Sequence, residues 1–94
     1  MKYRYRPNLT RHREAFLREL LSLGIGEPTT KGPVRHACLK LGWAEGAYRL
    51  PTGEIITHSE FYARFPPSPD RWTGVDFIGV TITEAGRAAL REAE

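Results

Sequence analysis

The sequence has little of several features that define common protein classes. Its one cysteine, Cys38, excludes an internal disulfide and is compatible with the reducing cytoplasm, the expected location. No apolar run approaches the about 20 residues that a membrane-spanning helix needs, and no signal-peptide pattern is present. Internal repeats and low-complexity tracts are also lacking. We therefore expect one soluble domain over residues 1–94.

Motifs of metal binding and catalysis are equally scarce. His36 and Cys38 are two positions apart, which on a helix separates them by about 200° around the axis, so they cannot chelate one ion together. No CxxC or HxxxH spacing occurs. Ser59 follows His58, but nothing like a nucleophile elbow or a phosphate loop accompanies them. We expect no metal, no cofactor and no enzymatic activity.

The composition is that of a globular domain, with 40% apolar, 11% aromatic and 27% charged residues. The charge is unevenly distributed. Residues 1–40 carry nine Lys or Arg against three Glu, a net +6, whereas residues 41–94 carry five Arg against eight acids, a net −3. This asymmetry indicates an anionic partner for the first half, although an uneven but ordinary surface explains it equally well.

Apolar spacing predicts two N-terminal helices. Leu9, Phe16, Leu17, Leu20 and Leu21 form one stripe of a helix over residues 10–23, which ends at Gly24 with Ile25 packing back. A loop over residues 24–32 follows. The second helix, residues 33–41, should bury Val34, Ala37, Cys38 and Leu41 and end at Gly42.

The second half has the features of a small antiparallel sheet and a last helix. Pro51 to Gly53 predicts the turn of a β-hairpin. Residues 57–65 fit either a capped short helix, His58 to Arg64, or a continued strand. A proline-rich loop leads to a strand over residues 75–82. Thr83 then caps a helix that ends near Ala93, with Gly86 allowing close packing and Ala85, Ala89 and Leu90 facing inward.

Three segments resemble the winged helix-turn-helix superfamily. LTRHREAFLRELLSLG (residues 9–24) is similar to its first helix, and ACLKLGW (residues 37–43) resembles the end of its recognition helix. ITEAGRAAL (residues 82–90) resembles the strand-to-helix junction after its wing. Residues 24–32 leave room for one turn in place of a positioning helix, so a reduced or embellished variant of this α+β fold is indicated. The resemblance implies a small DNA-binding regulator of transcription, with a homodimer as one assembly.

The candidate nucleic-acid contacts lie in the basic first half and on the hairpin. If residues 33–41 form the recognition helix, Arg35 can reach a guanine edge while Lys31 and Lys40 neutralise phosphates beside His36. Flanking phosphates would be held by Arg49 and by the arm residues Lys2, Arg4 and Arg6. The alternatives are a solvated helix face and an edge strand whose charges deter aggregation.

The segment FPPSPDRW (residues 65–72) favours a second function. Phe65, Arg71 and Trp72 are residue types typical of protein interfaces, and the prolines stiffen the loop that carries them. This predicts a protein-binding accessory or inhibitor module, for example of a mobile element. The alternative is that Trp72 folds back onto the sheet.

Overall fold

Four helices and four strands form the described part of the chain, residues 8–29 and 32–93 of a computed structural model. In chain order they are α1 (Arg11–Leu23), β1 (Ile25–Gly26), α2 (Pro33–Lys40), β2 (Ala44–Arg49), β3 (Ile55–Thr57), α3 (His58–Arg64), β4 (Asp76–Ile82) and α4 (Glu84–Ala93). The predicted α+β class is confirmed. The helix α3 settles the choice left open for residues 57–65, and it gives one helix more than the predicted arrangement.

The strands form one antiparallel sheet in the order β1-β4-β2-β3. The prediction of a continuous loop over residues 24–32 is wrong, because Ile25 and Gly26 pair with Thr81 and Val80 of β4. Two residues are too few to show a strand pattern in sequence. At Gly79, φ is +136° and a Cβ atom would collide with the Gly26 backbone, so only glycine lets β1 approach β4 this closely.

Helix α1 begins and packs as its sequence predicts. The Thr10 hydroxyl accepts a hydrogen bond from the Arg13 amide at 3.2 Å, and Phe16, Leu17 and Leu20 are buried. Leu21 and Ile25, however, are 49% and 43% exposed. Leu21 lies at the margin of the apolar stripe. Ile25 continues into β1 instead of folding back on α1.

Helix α2 ends at Lys40 and is followed by Gly42 at φ +78°, the predicted terminator. Cys38 is fully buried, and the Trp43 amide donates to its carbonyl at 3.0 Å. Leu39, which the sequence analysis omitted from the inner face, packs against the core. The apolar side of this short helix is therefore wider than predicted.

Helix α4 closes against the end of α2. Gly86 is buried with Ala89 and Leu90, whereas Ala85 is exposed, contrary to prediction. The cause is the cap: the Thr83 hydroxyl accepts from the Gly86 amide at 3.1 Å, which turns Gly86 toward the sheet. A Cβ atom on Gly86 would collide with the Trp43 carbonyl oxygen and lie 2.8 Å from Ile82 Cγ1.

Two separate hydrophobic clusters stabilise the domain. The larger joins α1, α2 and α4 to β2 and β4 through nine buried residues, among them Phe16, Cys38 and Val80. The smaller contains Leu50, Ile56 and Phe61, with Tyr48, Phe65 and Val75 packed against it. We call residues 50–75, which carry most of the smaller cluster, the α3 lobe. Over the described residues, the helices are all too short or too polar to cross a bilayer.

Candidate nucleic-acid interface and aromatic surface

Arg35, the predicted base-reading residue, is paired with a carboxylate of the same chain. Its Nη1 donates to Glu27 Oε1 at 2.9 Å, and its side chain is only 19% exposed. Arg35 therefore does not project freely from α2, and its contact with a base stays a prediction. The turn after β1 brings Glu27 beside α2, which the sequence could not show because β1 was read as loop. The bond uses one of the five N–H donors of the guanidinium and restricts the directions in which Arg35 can reach from α2.

A basic face remains on α1 and α2, and it consists of Arg13, His36 and Lys40. His36 and Lys40 are exposed as predicted. Lys40 and Arg13 line one surface depression of about 390 Å³ together with Asn8, Ala37 and Leu41. None of these five lining residues is acidic, so the two cations add to each other's potential.

Arg13 was not predicted as a site residue, because the sequence pattern of α1 indicated only a helix that packs its apolar stripe on the core. Its Nη1 donates to the Asn8 carbonyl at 2.6 Å, which fixes the guanidinium beside the point where residues 1–7 join the domain. The relevant signal in the sequence was the run Arg11 to Arg13 directly after a helix cap. Contact between α1 and α2 then places Arg13 near Lys40.

Among the described residues, the one other predicted nucleic-acid contact, Arg49, is not brought to this face. Lys2, Arg4, Arg6 and Lys31 lie outside the described residues. Arg49 is exposed at the end of β2, five residues beyond Ala44, which corresponds to about 17 Å of strand. Its cross-strand partner on β4 is Asp76, whose charge offsets that of Arg49.

The α3 lobe and β4 present three exposed aromatic side chains, which we call the aromatic surface: Tyr62, Trp72 and Phe77. They are 49%, 39% and 52% exposed. Tyr62 and Trp72 contact each other, and Trp72 and Phe77 both contact Tyr48. Trp72 stacks on the buried ring of Phe61, with 4.1 Å between ring centroids and 24° between planes. One face of Trp72 therefore packs inward, as the alternative interpretation expected, while much of the side chain remains open to a partner.

Phe65 and Arg71, the other predicted interface residues, mainly brace the lobe. Arg71 Nη1 donates to the Phe65 carbonyl at 3.0 Å, and its guanidinium lies 4.3 Å from the centroid of the Tyr62 ring. Phe65 packs on Phe61 at 5.0 Å between centroids. Tyr62 and Phe77 were missed; both were read only as apolar positions of regular elements.

Between α2 and α3 lies an interhelix cleft of about 330 Å³. Its lining residues are Arg35, Leu39, Ala44, Glu45, Gly46, Tyr48, His58, Phe77 and Val80. Tyr48 Oη and His58 Nδ1 are 2.7 Å apart, and Glu45 accepts hydrogen bonds from the amide and hydroxyl of Ser59. Burial chiefly, then Tyr62 and Glu45, raises the pKa of Tyr48 above its ordinary value, so the phenol stays neutral at physiological pH.

The residue pairs considered for catalysis are not arranged for it. Ser59 donates to Glu45 and His58 bonds to Tyr48, so the two neighbours engage different partners. Cys38 is buried, and burial outweighs the opposing effect of Arg13 and raises the pKa of its thiol. Within residues 8–29 and 32–93, no group of three His, Cys, Asp or Glu side chains is placed to hold a metal ion.

The chain was also compared with known proteins at three levels. No family model matches it, and neither a curated protein nor a solved structure does. Its function must therefore be inferred from its own residues and their geometry.

Proposed function

We propose that the protein binds double-stranded DNA, as a small regulator, through the basic face and the arm that precedes it. The observation that carries this proposal is the shared depression of Arg13 and Lys40. Two cations from different helices meet there without a lining acid, beside Asn8, where the arm containing Lys2, Arg4 and Arg6 joins the domain. Such a concentration of positive charge suits the phosphate backbone.

The arrangement of α2 and its surroundings supports an embellished winged-helix interpretation. Helix α2 ends at Lys40, Gly42 and Trp43 follow, and an antiparallel sheet leads to the Thr83-capped helix, in the order that the resemblance implies. The α3 lobe would be the embellishment, inserted between the neighbouring strands β2 and β4.

The ion pair of Arg35 changes the proposed mode of binding. Because Glu27 holds Arg35, we infer that Lys40 and Arg13 contact phosphates first and that α2 does not read bases from its resting state. Binding would then depend strongly on salt and weakly on sequence. A second step, in which Arg35 leaves Glu27 for a guanine edge, would add specificity.

The proposal is tested by fluorescence anisotropy with a random-sequence duplex over a series of salt concentrations. Replacing both Arg13 and Lys40 by Gln should weaken binding and reduce the magnitude of the salt slope by about 1.8, the value for two lost phosphate contacts. The matched control is Arg87→Gln with Arg91→Gln on α4, which removes the same charge away from the depression. Equal loss in both double variants would show only a net-charge effect and would contradict the proposed site.

A protein-binding module is the second candidate, and the aromatic surface favours it. Residues 44–77 carry five acids against three arginines, a net −2, so this region is unsuited to a phosphate backbone. Exposed Tyr and Trp side chains on a stiff loop are typical interface anchors. If a partner isolated with the wild-type protein is lost on Trp72→Ala but retained by the Arg13/Lys40 variant, the aromatic surface is the functional one.

A further inference from the structure

We infer that the interhelix cleft binds a small uncharged aromatic molecule that carries a hydroxyl or amide group. This function is separate from DNA binding, because the cleft opens between α2 and α3 and the depression of Arg13 and Lys40 lies between α1 and α2. The volume of about 330 Å³ is at the lower end of the range for small-molecule sites, which limits the ligand to one or two rings.

The lining of the cleft selects against a charged ligand. Leu39, Ala44 and Val80 contribute aliphatic surface, and Phe77 contributes an exposed ring on which a second ring can stack. The two oppositely charged side chains of the cleft already have partners. Arg35 donates to Glu27, and Glu45 accepts two hydrogen bonds from Ser59. A ligand charge would have to displace one of these interactions, whereas a neutral ring would not.

Tyr48 and His58 supply the polar contact at one end of the cleft. A hydrogen bond of 2.7 Å joins the phenol oxygen and Nδ1 of the imidazole. Either the hydroxyl donates to Nδ1 or the ring N–H donates to the oxygen, depending on the tautomer of His58. Either way, the phenol oxygen keeps a lone pair that can accept from a ligand, and the imidazole keeps its second nitrogen, Nε2. A ligand hydroxyl or amide group can donate to the phenol oxygen or exchange a hydrogen bond with Nε2.

Gly46 lets two of the rings that line the cleft pack closely on β2. Its φ lies outside the left-handed region, so the backbone conformation does not require glycine. A Cβ atom there would lie 3.3 Å from both Phe77 Cε1 and Tyr48 Oη and would press on these two rings. The missing side chain therefore determines how close the Phe77 ring and the Tyr48 hydroxyl lie to the strand.

The inference is tested by following backbone amide signals of the whole protein by NMR during titration with 2-naphthol. We expect saturable shifts at Leu39, Gly46 and Phe77, with half-saturation at or below about 1 mM. Tyr48→Phe, which removes one hydroxyl, should weaken binding about 3- to 10-fold. Leu39→Phe, which fills the cleft, should weaken it by more than 10-fold. Amide dispersion of each variant checks that it is folded.

A control variant and a control probe make the test specific. Leu21→Ser removes an exposed apolar side chain on α1, outside the cleft, and should leave the affinity unchanged. The anion 2-naphthalenesulfonate should shift the Gly46 signal less than 2-naphthol does at equal concentration. The inference is wrong if the cleft amides show no saturable shift, if Leu39→Phe binds as the wild type does, if Leu21→Ser abolishes binding, or if the sulfonate binds the cleft better.

Discussion

The hydroxyl of Thr83 donates to the carbonyl of Gly42 at 2.6 Å and also accepts from the Gly86 amide at 3.1 Å. One side chain therefore caps α4 and ties its first turn to the end of α2. The Thr83 amide adds a third contact by donating to the Trp43 carbonyl at 3.0 Å. The last helix is held in place by this junction as well as by its apolar face.

Thr83→Ala should lower the free energy of unfolding by about 1–2 kcal/mol, because both the cap and the link to Gly42 are lost. For a domain of this size, each kcal/mol of lost stability lowers Tm by about 4–8 °C. Thr83→Ser keeps the hydroxyl and should recover most of the stability. Urea denaturation of the two variants measures the difference, and equal stability would show that the hydroxyl contributes little.

Gly86→Ala should be destabilising although alanine is the better helix former by about 1 kcal/mol. The new Cβ would collide with the backbone oxygen of Trp43, so α4 must move away from the sheet. We expect a loss of more than about 2 kcal/mol, as for other overpacked sites. The converse control is Ala85→Gly on the exposed side of α4, which should cost only about 1 kcal/mol. A higher Tm for Gly86→Ala would mean that the junction is looser than the structure indicates.

Glu27→Gln should strengthen DNA binding at low salt, if the proposed function is correct. The change removes the negative charge that pairs with Arg35 and so weakens the hold on its guanidinium. We expect a salt slope steeper by about 0.9, the contribution of one added phosphate contact. Glu54→Gln is the control, because it removes the same charge from the more exposed pair with Arg64 in the α3 lobe and should leave binding unchanged. Anisotropy titration with the same duplex compares the three proteins.

Cys38 should react with a disulfide reagent only when the domain opens. The side chain is fully buried, and burial raises the pKa of its thiol. The raised folded-state pKa also means that stability falls as pH rises from the ordinary thiol range toward the folded value. Stopped-flow thiol titration should give a rate that increases with urea in parallel with unfolding. Fast reaction of the native protein at neutral pH would contradict the burial of Cys38.

Lowering the pH should destabilise the N-terminal end of α4. The hydrogen bond from Arg91 chiefly, followed by the charges of Arg91 and Arg87, lowers the pKa of Glu84. A lowered folded-state pKa stabilises the protein above the ordinary carboxyl range, and this contribution is lost as pH falls toward the lowered value. Glu84→Gln and Arg91→Gln should therefore each give a shallower loss of stability between neutral pH and pH about 3. Thermal melts at a series of pH values measure how Tm falls as the solution becomes acidic. If both variants lose Tm as steeply as the wild type does, the pair of Glu84 and Arg91 contributes nothing to stability.

The secondary structure could largely be predicted where local patterns determined it. The caps at Thr10 and Thr83 and the terminating glycines are short-range signals, and they are confirmed. The capping box at Thr57 accompanies a helix, one of the two structures that the sequence left open for residues 57–65. The failures share a different origin. Strand β1 exists only through pairing with β4, and the burial of Gly86 depends on Trp43, which is 43 positions away in sequence. Propensity cannot reveal contacts of that kind.

The candidate sites were predicted less well than the fold, because their properties depend on neighbours from other elements. The charge of Arg35 was visible in sequence, but its pairing with Glu27 was not. Exposure of Tyr62 and Phe77 likewise follows from how α3 and β4 are placed, and apolar patterning would have assigned both to the core. Trp72 stacks one face on Phe61 and stays 39% exposed, so its packing agrees in part with each of the two interpretations that the sequence left open. Its role at a protein interface stays a prediction.

The pairing of Arg49 with Asp76 has a consequence for how the domain is constructed. The chain leaves β2 at Arg49 and enters β4 at Asp76, directly opposite, so the α3 lobe, which adds β3 along the other edge of β2, is topologically a long hairpin connection. A two-residue turn could join β2 to β4 at this point and would leave a three-stranded sheet in the order β1-β4-β2. The shortened chain would keep every residue of the larger cluster, and Tyr48 would lose its contacts with Phe61 and Trp72. The larger cluster is thus assembled without any residue of the long connection between these two strands.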